Sequence, residues 1–148
     1  MKLQVSSQLA IFAVLDLAAD PVRQLSVAEI GEKYGVSSHH LAKVMHVLAR
    51  AGLVRSLRGA RGGYQFSGNA RRTTLLDVIQ LFEELGSADG DARAGEATGE
   101  GRALREVLGE IDDIARATLG SITIATMFKL VDRRQANRGR ASAVVRSL

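Results

Sequence analysis

The stretch that decides the fold is SVAEIGEKYGVSSHHLAKVMHVLARAGLVRSLRGARGGY, residues 26–64. Ser26-Val27-Ala28-Glu29 is a capping box, in which a hydroxyl and a carboxylate satisfy backbone N–H groups at a helix start. A short helix should run from Val27 to about Tyr34. Gly35 ends it, because glycine accepts the left-handed conformation of a helix stop. Val36 fills the turn, and Ser37 or Ser38 caps a longer helix. That helix carries Leu41, Val44, Met45, Leu48 and Ala51 on one face, at i, i+3, i+4, i+7 spacing, and Gly52 closes it. Short helix, glycine turn and longer helix form a helix-turn-helix. Leu53–Leu57 and Tyr64–Phe66 are β-prone runs on either side of Arg58-Gly59-Ala60-Arg61-Gly62-Gly63, which makes a hairpin. The expected fold is mainly α with a small β-hairpin wing: a winged helix-turn-helix.

Charge assigns a partner to this unit. From Lys33 to Leu76 there are eight Lys or Arg residues and no Asp or Glu, between Glu32 and Asp77. A cationic helix and loop without neutralising acids suit a polyanion, and the helix can reach base edges in a groove. The partner is double-stranded DNA. Elsewhere the sign reverses: Asp77 to Asp113 holds eleven acidic residues against Arg93, Arg102 and Arg105. After Asp132 come five arginines and no acid. The net charge of +4 hides this polarity. With 46% hydrophobic residues but only 4% aromatic ones, the core should be helices packed through Leu, Ile, Val and Ala. There are no cysteines, which excludes disulfides, thiolate nucleophiles and thiolate metal sites. No apolar run reaches the roughly 18 residues of a membrane span, so the chain reads as soluble and cytoplasmic.

Working outward, Val5, Leu9, Phe12, Val14, Leu15 and Leu17 mark a largely buried first helix, stopped near Asp20-Pro21. Thr74-Leu75-Leu76-Asp77 is a second capping box, opening a helix expected to reach about Leu85. Gly86 to Gly101 is small, acidic and glycine-rich, and reads as a long loop. From Arg102 a helix resumes with Leu104, Leu108, Ile111, Ala115 and Thr118 near heptad spacing, widened by Val107 and Ile114. A stripe this wide, on a helix beyond a small DNA-binding unit, calls for a second copy of itself. Gly120-Ser121 breaks that helix, Thr123 to Leu130 adds a turn or two, and the arginine-rich remainder has too little apolar content to fold alone. The expected organisation is a DNA-binding domain at 1–85, an effector or cluster loop at 86–103, dimerisation helices at 104–132 and a flexible basic tail at 133–148.

Several motifs in this order resemble the Rrf-two family of bacterial winged-helix regulators, which includes an iron–sulfur-cluster regulator and a nitric-oxide-sensing repressor. They are Leu15-Asp16-Leu17-Ala18, Leu25-Ser26-Val27-Ala28-Glu29-Ile30, Ala51-Gly52-Leu53-Val54, Arg58-Gly59 with Gly62-Gly63-Tyr64, and Thr74-Leu75-Leu76-Asp77-Val78-Ile79. Val36 to Val44 and Leu48 to Gly52 look most like the nitric-oxide branch. The resemblance covers about residues 1–130 and implies a homodimer on a pseudo-palindromic operator. It also implies a cluster held by three cysteines in the loop before the dimer helix, separated in that branch by four and five residues. Ala92, Ala97 and Ala103 stand at that spacing here. A 2Fe–2S or 4Fe–4S cluster is implied only if these alanines replace cysteines; as written the chain holds no cofactor and no metal. Coincidence of spacing remains the other reading. Some relatives add a first-helix carboxylate near position 8, from which Gln8 departs.

By position, Ser38, His39, His40 and Lys43 at the start of the recognition helix are the candidate major-groove contacts. Arg58 and Arg61 on the wing suit a minor groove, whose potential attracts guanidinium groups. Arg50, Arg55, Arg71 and Arg72 read as phosphate contacts or solvated charge, and His46 as a surface residue. The carboxylates Glu83, Glu84, Asp112 and Asp113 have no nucleophile or phosphate cradle beside them, so they read as solvated and no catalytic residue is assigned. The expected function is a homodimeric transcription regulator, an apo or cysteine-less form of a cluster-sensing one. The alternative is a constitutive DNA-binding module with a protein partner and no sensing.

Overall fold

The computed structural model describes residues 1–59, 62–86 and 94–147. Helix α1 (Val5–Ala19) is the central element, and buries Leu9, Ala10, Ala13, Val14 and Leu17. Around it pack α2 (Val27–Tyr34), α3 (Ser38–Arg50) and α4 (Leu75–Ile79). The capping box of α2 forms in full: Ser26 Oγ accepts from Glu29 N–H, and Glu29 Oε2 accepts from Ser26 N–H at 2.7 Å. Gly35, at φ 65°, closes the helix in the left-handed region. Ser37 caps α3 by accepting from His40 N–H. Leu41, Val44, Met45 and Leu48 are all buried against α1, so the apolar periodicity of α3 does what it implies.

Strands β1 (Val54–Leu57) and β2 (Gly63–Phe66) pair antiparallel with Val54 opposite Phe66 and Leu57 opposite Gly63. A third segment joins this wing. Leu25 exchanges backbone bonds with Tyr64, N–H to O at 3.0 Å and 2.8 Å. Leu25 O would lie 2.8 Å from a Cβ on Gly63, so only glycine lets the chain before α2 approach β2 this closely.

Beyond the wing, Thr74 and Asp77 form the second capping box, but α4 is shorter than the sequence implies. It ends at Ile79 and gives way to turns that carry buried Leu85. Helix α5 (Gly99–Ser121) starts three residues before Arg102. Thr98 supplies the reason: its hydroxyl accepts from Gly101 N–H, and Glu100 places negative charge in the first turn. Helix α6 (Ile124–Arg146) corrects the expectation of a short turn followed by an unstructured basic tail at 133–148. Thr123 caps it, and Ile124, fully buried, fixes its first turn with Met127 and Phe128 packed on the core. Once a helix is nucleated, each further residue adds a bond at little cost, and the Arg, Ala and Gln of the remainder are good helix formers with no proline among them. The α5–α6 junction is tied to the start of α4 by Leu75 N–H to Ile122 O and Ile124 N–H to Thr73 O, both 2.9 Å.

Candidate nucleic-acid interface

The recognition helix divides cleanly. Opposite its buried stripe, Ser38, His39, Ala42, Lys43, His46 and Arg50 are exposed. His39, Lys43, His46 and Arg50 follow i, i+4, i+7, i+11, which is one continuous face. Of the contacts expected from the sequence, Ser38, His39, His40 and Lys43, all but His40 lie on this face; Ala42 and His46 share it, which the helical period alone could have shown. His40 differs from its neighbour. It is half-buried, and its Nε2 lies 3.1 Å from Ser6 Oγ on α1. Its side chain therefore ties the recognition helix to the first helix, which is the consequence of the roughly 100° step between adjacent helical residues.

On the wing, Arg58 is exposed beside Gly59. Arg61 lies outside the described residues. Arg55 is held: its Nη2 and Nε donate to Gln65 Oε1 at 2.7 and 3.1 Å, and Gln65 Nε2 donates to Val22 O at 2.5 Å. This chain of bonds fixes the hairpin to the segment before α2, and it links residues 43 positions apart, beyond the reach of local pattern reading. Arg71 and Arg72 are exposed in the turn before α4.

The acidic side holds two surprises. Glu83 is not a solvated carboxylate: its Oε2 accepts from Gln4 N–H at 2.8 Å and from Ser7 Oγ at 2.5 Å. Gln4 is the N-cap residue of α1 and its own side chain caps nothing, so Glu83 performs the capping from 79 residues away. Asp112 is half-buried, whereas Asp113 is exposed. Helix α5 buries no residue at all. Leu104, Val107, Leu108, Ile111 and Ile114 are 43–67% exposed along it.

The alanines at the implied cluster positions can be tested against their surroundings. Ala92 lies outside the described residues. Ala97 and Ala103 are both exposed, and the Ala97 carbonyl accepts from Arg102 Nη1 at 2.8 Å. A methyl group coordinates nothing, and no group of three His, Asp or Glu residues able to hold a metal exists among the described residues. The side chains present do not fit an iron–sulfur cluster.

With this geometry in view, comparison with known proteins gives a consistent result. Residues 3–130 match the family described as Rrf2, iron-dependent transcriptional regulator. The chain belongs to the Rrf2 family. It is similar to BadM of Rhodopseudomonas palustris, named as an HTH-type transcriptional regulator, with 47% identity over 148 residues, 99% of this chain and 94% of that one. IscR of Vibrio campbellii, an HTH-type transcriptional regulator, is 30% identical over 87% of this chain and 78% of its own. Among solved structures, T. potens IscR superposes with a TM-score of 0.73 at 29% identity, covering 91% of each chain. CymR, the global cysteine regulator of B. subtilis, gives 0.70 at 25% identity over 86% of this chain and 95% of its own. The Rrf2 chain described here is thus a DNA-binding transcriptional regulator of winged-helix type and not an enzyme. No helix among the described residues is long and apolar enough to cross a membrane.

Proposed function

We propose that the protein is a homodimeric regulator that binds a pseudo-palindromic operator and has dispensed with an iron–sulfur cluster. The observation that carries the DNA reading is the open face of α3, which presents His39, Lys43, His46 and Arg50 while its other face is locked on α1. In the major groove these groups donate to guanine or phosphate oxygens, and the Ala42 methyl suits a thymine methyl. Ser38 contacts the backbone at the helix N-terminus. Arg58, together with Arg61, reaches the adjacent minor groove. His40 orients the helix through Ser6. Two copies pack through the exposed stripe of α5, which sets the separation of the two recognition helices. Residues 1–85 act as the DNA-binding domain, the segment before α5 as the effector loop, and α5 with the start of α6 as the dimerisation element; the basic stretch from Arg133 to Arg146 continues α6.

The test is an operator selected from random duplexes, followed by titration over a salt series. Each lost phosphate contact lowers the salt slope by about one unit, and a lost base contact relaxes specificity at one position. Sequence-independent binding with no preferred half-site spacing would overturn the regulator reading. Loss of the cluster is tested by the combined substitutions Ala92→Cys, Ala97→Cys and Ala103→Cys. Anaerobic reconstitution that yields visible absorption and stoichiometric iron supports an ancestral cluster. No colour and no iron leaves the alanine spacing a coincidence.

A further inference from the structure

A cavity of about 230 Å³ lies between the first half of α5 and Gly86, Ala94 and Glu96. Its floor is α5 itself: Gly101, Leu104, Arg105, Leu108 and Asp112 follow i, i+3, i+4, i+7, i+11 and share one face. Gly109 also lines it, in the middle of a 23-residue helix. A glycine in a helix interior is destabilising relative to alanine. No neighbour explains it, since a Cβ there would meet nothing within 4 Å. What the missing side chain leaves open is the cavity.

The charges of the wall are unequal. Arg105 Nη2 is already paired with Glu96 Oε2 at 3.1 Å. Asp112 has no hydrogen-bond or ionic partner among the described residues. Its carboxylate lies close to Gly86, where a Cβ would sit 2.8 Å from Asp112 Oδ2. Among the described residues that line the cavity, two acids, Glu96 and Asp112, stand against one arginine, Arg105. Such an excess concentrates cations and repels anions. An anionic ligand would have to displace Glu96 from Arg105 and lie against Asp112. A cation gains from both.

We propose that this cavity binds a small organic amine, its ammonium on Asp112 and its apolar body along Leu104 and Leu108. The volume fits about the size of a one-ring molecule, below the usual range for drug-sized ligands. The site deepens the regulator reading and rests on it for its purpose, though its chemistry stands apart. Leu104 and Leu108 also belong to the apolar stripe proposed as the dimer seam, so an occupant touches the element that spaces the two recognition helices.

The test uses full-length protein and three probes of one shape: benzylamine, benzyl alcohol and benzoate, titrated by calorimetry. Saturable binding of benzylamine, at least about tenfold tighter than the alcohol, with benzoate not binding, is the expected result. Asp112→Asn should weaken benzylamine about tenfold while the exposed neighbour substitution Asp113→Asn leaves it unchanged. Gly109→Leu should abolish binding by filling the cavity, with helix content retained by circular dichroism. Benzoate binding as tightly as benzylamine, an Asp112→Asn protein that binds as before, or no saturable heat with any probe would each overturn the proposal. Operator binding is measured on the same samples without probe: if it is present and amine binding absent, the site fails and the regulator reading stands.

Discussion

The two halves of this chain solve the burial problem differently. In residues 1–86 every long apolar stripe has a partner in the same chain: α3 on α1, α4 on α1, the wing on the segment before α2. In α5 the stripe is equally regular, yet Ile111 is 55% and Ile114 67% exposed. Contiguous apolar surface of this kind marks an interaction site rather than an accident of composition. The lesson is that periodicity reports a wish for burial, while the identity of the covering surface depends on whether the chain itself can reach it.

The sharpest way to break this contrast is to substitute one residue from each stripe. Ile111→Glu places an unpaired charge in the proposed seam, which costs several kcal/mol in association. Sedimentation at tens of micromolar should show the variant monomeric and the parent dimeric, and a monomeric parent would end the dimer proposal. Leu48→Ala, by contrast, empties a fully buried site on α3 and should lower unfolding stability by about 2–5 kcal/mol. Denaturant midpoints measured on the Ile111→Glu monomer background separate the two effects. If Leu48→Ala left the midpoint unmoved, the account of the α1–α3 core would be wrong.

The same contrast explains what could be read from the sequence. Both capping boxes, the glycine stop at Gly35 and the presence of the hairpin are local, set by residues within a few positions of one another, and they were legible. So were Ser38, His39 and Lys43 on the open face of the recognition helix, though not Ala42. The bonds from Glu83 to Gln4 and Ser7, from His40 to Ser6 and from Gln65 to Val22 were not, because each joins positions that only the tertiary fold brings together. The length of α6 was missed for another reason. Low apolar content implies a lack of order, whereas here a buried first turn at Ile124 nucleates a helix that propensity then extends.

A smaller effect sharpens the division of labour inside the DNA-binding half. Arg58→Ala should weaken operator binding by about 1–3 kcal/mol if the wing reads the minor groove, and should relax preference at the base steps beneath it. Lys43→Ala as a phosphate contact should weaken all duplexes alike and lower the salt slope by about one unit. Competition binding on operator and scrambled duplexes distinguishes them. Unchanged affinity in both Arg58→Ala and Arg61→Ala would remove the wing from the interface.

The smallest expected effect concerns the start of α2, where order depends on a solvent-exposed charge and not on burial. The Ser26 N–H bond to Glu29, followed by that of the Ser26 hydroxyl, holds the Glu29 carboxyl below the usual glutamate range. A carboxylate with a depressed folded-state pKa stabilises the fold above its unfolded pKa, and that contribution disappears as pH falls through the folded value. Glu29→Gln keeps the shape and the acceptor but removes the charge. The parent should therefore be the more stable of the two at neutral pH, and the gap should close on acidification once Glu29 is protonated in both states. The difference between the denaturant midpoints of the two proteins reads out this one substituted group. A gap that stayed constant from neutral to acidic pH would show that the carboxylate's charge contributes nothing at this helix start, and that shape alone carries the cap.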